Sequence, residues 1–194
     1  MDDIAEGTVE AKQALRRTMR RVRGSIPDRP GRSARMWIDV LRLADSIAAD
    51  SIVAGSNRAI VVLAFVGVGH EPDTDDLLQN LAAAGHSVLL PRVEGEHIVA
   101  VLHEPGEALR SGAYGIPEPV GISVEPDVID LVIVPGLAFT ADGRRLGQGG
   151  GFYDRFLPLV REDCVTCGVG YAEQIVDDLP LEVHDRLLTM VMTA

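Results

Sequence analysis

Three continuous apolar runs constrain the fold of this chain more than any other feature. They are "AIVVLAF" (residues 59–65), "DLVIVPG" (130–136) and "CVTCGVG" (164–170). Such runs are typical of strands that are covered on both faces, and segments with helical periodicity lie between them. Strands that alternate with helices predict an α/β fold, in which a mostly parallel sheet carries helices on both faces in a three-layer, Rossmann-like arrangement.

The remaining elements follow from the same patterns. Helices are predicted over residues 8–25 and 32–50, and "DTDDLLQNLAAAG" predicts a helix that Asp73 or Thr74 can cap and that Gly85 can end. In parallel sheets ligands bind beyond the carboxyl ends of the strands, which favours a site in the segment that follows "DLVIVPG". The other predictions are strands at "HSVLLPR", "HIVAVLHE" and "LLTMVMT", turns in "SGAYGIPEPVG" and a helix from Phe152.

Length and charge limit the class of protein. A chain of 194 residues without internal repeats is expected to form one domain over residues 1–194. The opening "MDDIAEGTVEAKQ" has no apolar core and no apolar run approaches the roughly 20 residues that span a bilayer, so we expect a soluble, cytoplasmic protein, and a monomer. The net charge of −11 argues against nucleic-acid or membrane-surface binding, which needs a broad basic footprint.

Cys164 and Cys167 form a C-x-x-C pattern inside an apolar, β-branched run. Residues three apart in a strand point to opposite faces of the sheet. The two thiols are therefore predicted to be small core residues, not a redox or metal-binding pair.

The first predicted helix combines an apolar stripe with a basic flank. Lys12 is the only lysine among the 18 Lys and Arg residues of the chain. Two interpretations of the flank stay open, namely a solvated cationic helix face and a phosphate site that lines a cleft. The stripe consists of Leu15, Met19, Val22 and Ile26, and the flank of Lys12, Arg16, Arg20 and Arg23.

The segment "GRRLGQGGGFYDRFL" (143–157) concentrates glycines and charges before a predicted helix. It matches neither the Walker pattern nor the dinucleotide fingerprint. Its glycines permit crowded or left-handed backbone, and the N–H groups at the start of a helix attract anions, so the segment is either a phosphate-binding loop or a tight loop packed against the core. Arg144 and Arg145 could bind phosphate oxygens, and Asp154 is either a dipole-complementing residue or a Mg²⁺ ligand.

"VPGLAFTADGRRLGQGGGFYDRFL" resembles the signature segment of the 5-formyltetrahydrofolate cyclo-ligase family, also called methenyltetrahydrofolate synthetases, with the pattern P-G-x-A-F, a short loop and G-x-R-L-G-x-G-x-G-[YF]-Y-D. The resemblance covers nearly the whole chain. "KQALRRTMRRVR" is similar to the basic amino-terminal helix of that family, "EPDTDDLLQNLAAAGHSVLLPRV" to its E-x-D-T segment and strand, "YGIPEP" to F-G-I-x-E-P, and "LPLEVHDRLLTMVMT" to its acidic carboxyl-terminal segment.

The resemblance implies roles for particular residues. Arg145 and Tyr153 would act in catalysis, Asp154 and Asp185 would bind Mg²⁺, and ATP would be the co-substrate of a reduced folate. The folate site would include Glu71, Gly149, Gly151 and Tyr153. The ATP site would consist of Lys12, Arg16, Arg144, Arg145, Leu146, Gly147, Gln148, Gly149, Gly150, Gly151, Phe152 and Tyr153.

Structural interpretations of these residues stay open beside the functional ones. Glu71 could be a helix-capping neighbour of Pro72, Tyr153 a core aromatic residue, and Asp185 a surface turn residue. Glu118, between two prolines, is interpreted as a rigid-turn residue and not as a catalytic one.

The chain departs from the family pattern at two positions. Gly150 stands where many relatives carry a lysine, and Tyr114 replaces the usual phenylalanine of F-G-I-x-E-P. If that lysine neutralises phosphate charge, Arg144 or Arg145 must compensate.

The activity that the resemblance implies is the ATP-dependent cyclisation of 5-formyltetrahydrofolate to 5,10-methenyltetrahydrofolate, with release of ADP and phosphate. Its chemistry is transfer of the γ-phosphoryl group to the formyl oxygen, followed by attack of nitrogen 10, so the protein mainly aligns and stabilises charge. Two alternatives are a non-catalytic folate- or nucleotide-binding module and a paralogue that acts on a different formylated or carboxylated substrate.

Overall fold

The computed structural model describes residues 2–53, 59–180, 182 and 185–194. Within these ranges the helices are α1 (Asp2–Ser25), α2 (Arg29–Val53), α3 (Asp75–Ala83) and α4 (Phe152–Phe156). The strands are β1 (Val61–Leu63), β2 (Ser87–Glu94), β3 (His97–Leu102), β4 (Arg110–Ser111), β5 (Pro117–Glu118), β6 (Ser123–Val124), β7 (Leu131–Pro135), β8 (Ala138–Phe139), β9 (Arg145–Leu146), β10 (Val165–Gly170) and β11 (Met190–Thr193).

The main sheet is mostly parallel, as predicted. Its strand order is β11-β10-β7-β1-β2-β3-β6. The pairs from β11 through β2 are parallel, and only β3 and β6 join by antiparallel pairing. Side chains alternate between the faces of each strand, so the sheet has two separate apolar surfaces to cover.

Helices cover both faces of this sheet, which confirms the predicted three-layer arrangement. On one face, α2 and α3 pack against residues such as Val62, Leu90 and Ile133. On the other face, Leu63 and Val134 pack with residues of α4 and the turn that follows it. The second face carries less helix, because α4 has five residues and a 3₁₀ turn at Leu157–Leu159 replaces its continuation. Pro158 lacks the N–H group that a longer α-helix would need there.

The predicted helices and strands are present, but several of them begin or end at other residues than predicted. The first two helices are longer than predicted, and β1 occupies only three residues of the apolar run 59–65. Thr74 holds the N-cap position of α3, but its hydroxyl accepts a bond from the Gly67 amide, and the Asp73 carboxylate accepts the Asp75 amide instead. Gly85 follows the helix with φ +89°, as predicted for a glycine that ends a helix.

The two cysteines are core residues on opposite faces of the sheet, as predicted. Cys167 belongs to the cluster beneath α2 and α3, whereas Cys164 belongs to the cluster on the other face. Both thiols are free and buried, and burial raises the pKa of each to about 12. Their chemistry is therefore that of small apolar side chains. Among the described residues, no helix has the length and apolar character needed to cross a membrane.

We expect both thiols to resist modification in the folded protein. With a pKa of about 12, only about one thiol in 10⁴ is ionised at pH 8, and burial blocks access to that fraction. Titration with a chromogenic disulfide reagent should therefore give no more than a trace of reaction in native protein and two equivalents in denaturant. Rapid reaction of two thiols in native protein would contradict the assignment of both cysteines to the core.

Candidate active site

A cavity of about 550 Å³ opens beyond the carboxyl ends of the parallel strands. Phe65, just after β1, and Pro135, at the end of β7, line it. This is the edge of an open α/β sheet at which ligands bind. Every site residue predicted from the sequence lines this cavity except Arg144.

The glycine segment reaches the cavity through a short hairpin of β8 and β9. The Leu137 amide donates to the carbonyl of Leu146 over 2.7 Å, and the hairpin turns at Gly143. Gly143 has φ +91°, and a Cβ atom there would lie 2.3 Å from the Leu188 carbonyl oxygen. Only glycine fits this turn, so the turn fixes where the glycine segment begins.

Two arginines of α1, one helical turn apart, hold the glycine segment from its other side. The Nε atom of Arg16 donates to the Gly147 carbonyl over 3.0 Å, and Arg20 donates to the side chain of Gln148 over 3.2 Å. Gly149 and Gly151 have positive φ angles of 111° and 66°. The loop therefore takes a backbone path that larger residues rarely adopt, beside an arginine side chain that lines the cavity.

Lys12 is buried, with 4% of its surface exposed. Its ammonium lies 2.5 Å from Glu182 and 2.7 Å from Asp185, and the Asp185 carboxylate also accepts the Glu182 amide. The interpretation as a solvated helix face is wrong for Lys12. Asp185 does lie in a turn, as its amide donates to the Glu182 carbonyl, but its carboxylate faces the cavity and not bulk solvent.

Arg145 and Asp154 form a second buried pair. Their side chains are 4% and 17% exposed and approach to 2.9 Å. The guanidinium lies 5.5 Å from the ring centre of Tyr153 and donates to the Pro135 carbonyl over 3.4 Å. Arg145 is thus fixed from three directions at the cavity wall, the kind of preorganised cation that stabilises developing negative charge.

The hydroxyl of Tyr153 is buried and has no hydrogen-bond partner among the described residues. Burial raises its pKa well above the usual range, against the opposing effect of Arg145. The group therefore stays a neutral phenol that can donate a hydrogen bond. Because an unpaired buried hydroxyl is costly, its place on the cavity wall leaves it available to a bound ligand or water molecule.

Glu71 pairs with Arg23 over 3.3 Å, and both side chains are nearly buried, at 11% and 8% exposed. Arg23 also donates to the Gly136 carbonyl, and burial lowers its pKa while Glu71 opposes that shift. Glu71 does not cap α3, so that interpretation is wrong. The pair holds a carboxylate at the cavity wall beside Tyr153.

Arg144 lies outside the cavity lining. Its guanidinium pairs with Asp178 over 2.6 Å and with Asp142 over 3.1 Å. It therefore sits poorly for the compensation at Gly150 that the resemblance implies, and Arg145 is already paired with Asp154. Arg16 also lines the cavity, and its Nε atom donates to the Gly147 carbonyl.

Gly150 itself has a structural reason to be small. A Cβ atom at this position would lie 2.7 Å from the ring of Phe152. Phe152 in turn packs edge-on against Tyr114, with ring centres 5.9 Å apart. The two departures from the family pattern thus meet in one aromatic arrangement at the cavity.

Sequence reasoning missed several residues of the site. Glu182, which had not been considered, is an ion-pair partner of Lys12. Arg23 had been considered only as part of the basic flank and is the partner of Glu71, and Glu118, interpreted as a turn residue, is a buried carboxylate on the cavity wall. Glu182 and Asp185 lie only three residues apart, and this spacing was the one local feature that could have indicated an acidic pair in the site. Nothing local marks the apolar lining, which includes Val66, Pro91, Val93, Ile98 and Ile116.

The candidate metal ligands suit a hard cation. No group of three or more His, Cys, Asp or Glu residues within the described ranges is arranged to hold a metal by itself. Mg²⁺ is commonly bound by one or two carboxylates and completed by phosphate oxygens and water, so Asp154 and Asp185 fit that chemistry. Each is already ion-paired, with Arg145 and Lys12 respectively.

Comparison with known proteins points to one family. A sequence model of the 5-formyltetrahydrofolate cyclo-ligase family matches residues 8–194. A curated 5-formyltetrahydrofolate cyclo-ligase from Mycolicibacterium smegmatis is 31% identical over 94% of this chain and 93% of its own length. That of Escherichia coli K12 is 35% identical over 70% of this chain and 78% of its own length.

Solved structures agree with these sequence relatives. The NMR structure of 5,10-methenyltetrahydrofolate synthetase from Aquifex aeolicus superposes with a TM-score of 0.78, at 29% identity, over 94% of this chain and 89% of that one. A methenyltetrahydrofolate synthetase from Mycoplasma pneumoniae gives a TM-score of 0.70 over 93% of this chain and 97% of its own. The latter shares 19% identity and supports the fold alone.

We expect Lys12→Met to destabilise the protein. The change leaves Glu182 and Asp185 close together without their shared cation, and because both are partly exposed the loss should be about 2 kcal/mol, below the value for a fully buried pair. The midpoint temperature of thermal unfolding should therefore fall by roughly 4–8 °C. Arg17→Met, on the exposed side of the same helix, is the control and should change little. Equal effects of the two substitutions would refute a special role for the Lys12 pair.

Proposed function

Because the chain belongs to the 5-formyltetrahydrofolate cyclo-ligase family, we propose that it converts 5-formyltetrahydrofolate to 5,10-methenyltetrahydrofolate, consuming ATP and releasing ADP and phosphate. The observation that carries this proposal is the composition of the single cavity described above. Its lining combines the glycine segment and the cations Lys12, Arg16 and Arg145 with apolar side chains such as Phe65 and Ile98. A polyphosphate and a planar organic molecule therefore find matching surfaces in the same space.

The proposed reaction joins these two ligands through one oxygen atom. The formyl oxygen attacks the γ-phosphorus of ATP, the bond to the β-phosphate oxygen breaks, and ADP leaves. The resulting iminium phosphate is attacked at its carbon by nitrogen 10, which loses its proton. The C–O bond to the former formyl oxygen then breaks, and phosphate departs with that oxygen and with the proton. Phosphoryl transfer of this kind depends mainly on alignment and on stabilisation of spreading charge.

The residues of this chain would supply that alignment. We assign the phosphates to the glycine segment, Lys12 and Arg16, and the developing charge on the transferred group to Arg145, which is held in place by Asp154. Tyr153 would donate its unpaired hydroxyl to the ligand that reaches the buried end of the cavity. Glu71, fixed by Arg23, would accept from an N–H group of the folate.

Asp154 and Asp185 are proposed to hold Mg²⁺ together with the ATP phosphates. When bound, the ion would neutralise phosphate charge and orient the γ-phosphoryl group. The cavity wall carries five carboxylates, Glu71, Glu118, Asp154, Glu182 and Asp185, against the three cations Lys12, Arg16 and Arg145. That excess of negative charge repels a polyanion, and a divalent cation bound with the phosphates would offset the repulsion.

Further properties are proposed on sequence grounds. We propose one domain, a monomer, a cytoplasmic location and no binding of nucleic acid or membrane. The net charge of −11 supports the last of these, since an acidic protein is repelled overall by a nucleic-acid backbone or an anionic membrane surface.

The direct test is to mix the protein with MgATP and 5-formyltetrahydrofolate and to follow the absorbance of the methenyl product. Omission of either substrate should abolish the signal, and ADP should form in equal amount. Product without ADP, or ATP hydrolysis without methenyl product, would contradict the proposed reaction.

We expect Asp154→Asn to lower turnover on the order of 10²-fold, because it removes a metal ligand and the carboxylate that fixes Arg145. Raised Mg²⁺ should restore part of the loss, and thermal stability should shift by only a few degrees. Asp178→Asn is a matched control, because it breaks the exposed pair with Arg144 outside the cavity. An Asp154→Asn enzyme that kept more than about half its turnover at ordinary Mg²⁺ would rule out the metal assignment.

A further inference from the structure

Glu118 is a buried carboxylate on the cavity wall for which the proposed reaction has no use. Only 4% of its surface is exposed, although the residue lies between two prolines in a short hairpin. The hairpin pairs β4 with β5 and turns through Tyr114. A charged group buried in such a place needs partners that compensate its desolvation.

The partners of Glu118 are two backbone amides from different parts of the chain. Its Oε1 atom accepts from the Val93 amide over 3.2 Å and from the Ala113 amide over 3.0 Å. The guanidinium of Arg110 lies farther away, at 4.0 Å from the other oxygen. A Cβ atom on Gly112 would lie 2.1 Å from the carboxyl carbon of Glu118. The glycine at position 112 therefore allows the hairpin to pack closely against the Glu118 side chain.

The Val93 amide is available because β1 is short. The amide of Ser87 and the carbonyl of Leu89 both bond to the chain of β1, so the odd-numbered residues of β2 present their backbone groups to that side. The β1 pairing ends at Leu63 opposite Leu89. Beyond that point the edge of β2 borders the cavity, and Glu118 satisfies an amide that would otherwise lack a strand partner.

Tyr114, next to the anchored Ala113, has an unusual backbone. Its φ of 58° and ψ of 17° lie in the left-handed region, which a residue with a side chain rarely enters. The residue is 80% exposed, yet it lines the cavity and its ring packs edge-on against Phe152. Such a conformation persists only where neighbouring contacts determine it.

We propose that Glu118 is a positioning residue, whose carboxylate ties the hairpin to the free edge of β2 and so holds Tyr114 against Phe152 at the rim of the cavity. This inference rests on the proposed function only for the identity of the ligand that meets the rim. The role requires a hydrogen-bond acceptor at Glu118, not a charge and not a proton.

We place the rim that Tyr114 and Phe152 form at the folate end of the cavity, away from α1. The α1 helix carries the cations assigned to the phosphates, and it packs beside the turn at Ala172–Gln174 that follows β10. In the strand order, β10 and β2 are separated by β7 and β1, which places them roughly 14 Å apart at ordinary strand spacing. The rim near β2 has apolar neighbours, Val93, Ile98 and Ile116, which suit a planar ring and not a triphosphate.

The test compares Glu118→Gln with Glu118→Ala by steady-state kinetics. Glutamine keeps the accepting oxygen, so we expect its kinetic constants to stay within about threefold of the wild type. Alanine should raise the KM for 5-formyltetrahydrofolate roughly 10- to 100-fold, with the KM for ATP within about threefold. The exposed Glu125→Ala is the control and should match the wild type. A Gln variant as impaired as the Ala variant, or equal rises in both KM values, would overturn the inference.

A second measurement does not depend on turnover. Hydrogen exchange at the Val93 and Ala113 amides should accelerate at least tenfold in Glu118→Ala and stay slow in Glu118→Gln. Unchanged exchange in the Ala variant would overturn the inference. If the wild type showed no turnover, the proposed function would fail while this comparison still decided the role of Glu118.

A further variant guards against misfolding of Glu118→Ala. Tyr114→Leu removes the rim but leaves Glu118 and both amides in place, and it should reproduce the selective rise in the KM for 5-formyltetrahydrofolate. A Tyr114→Leu enzyme with wild-type KM values would contradict the inference.

Discussion

The early end of β1 is the constraint on which the site depends. β1 occupies the middle of the parallel sheet, yet its pairing stops at Leu63, while β2 and β7 continue beyond it. Where a central strand ends early, the backbone groups of its neighbours need other partners. Here the space beyond β1 is the cavity, and side chains such as Glu118 bond to the free backbone groups instead of a strand. The glycine segment, the α1 arginines and the Tyr114 hairpin all converge on that gap.

Ion pairing keeps the charges of the cavity in place without neutralising all of them. Lys12 forms ion pairs with two carboxylates and Arg145 with one. Arg23, which does not line the cavity, forms an ion pair with Glu71. These pairs are partly or wholly buried, so breaking one costs more than breaking a surface pair. The Lys12 pairs also join α1 to the carboxyl-terminal segment, so one cation contributes both to the cavity lining and to the packing of the fold.

The sequence predicted the sheet, its covering layers and the glycine segment because those depend on periodicity and on local backbone requirements. It located Lys12 but not its burial, which arises from partners about 170 residues away. Glu118 was interpreted as a rigid-turn residue, but it lies in β5 and its carboxylate accepts from the amide of Val93, which belongs to another strand. Arg144 and Arg145 are adjacent in the sequence, yet the β9 hairpin turns one outward and the other into the cavity. Ion-pair geometry across the fold has no local signature.

The distance in sequence between Lys12 and Asp185, 173 residues, has a consequence for biosynthesis. Chains emerge from the ribosome starting at the amino terminus, so α1 leaves the exit tunnel long before either of its carboxylate partners. Its buried ammonium must remain hydrated, and its apolar stripe uncovered or temporarily covered, until the segment at Glu182 and Asp185 arrives. Contacts between residues so far apart in sequence form slowly, because the intervening chain must first be brought together. The part of the cavity wall that Lys12, Glu182 and Asp185 form is therefore completed only after nearly the whole chain has been synthesised.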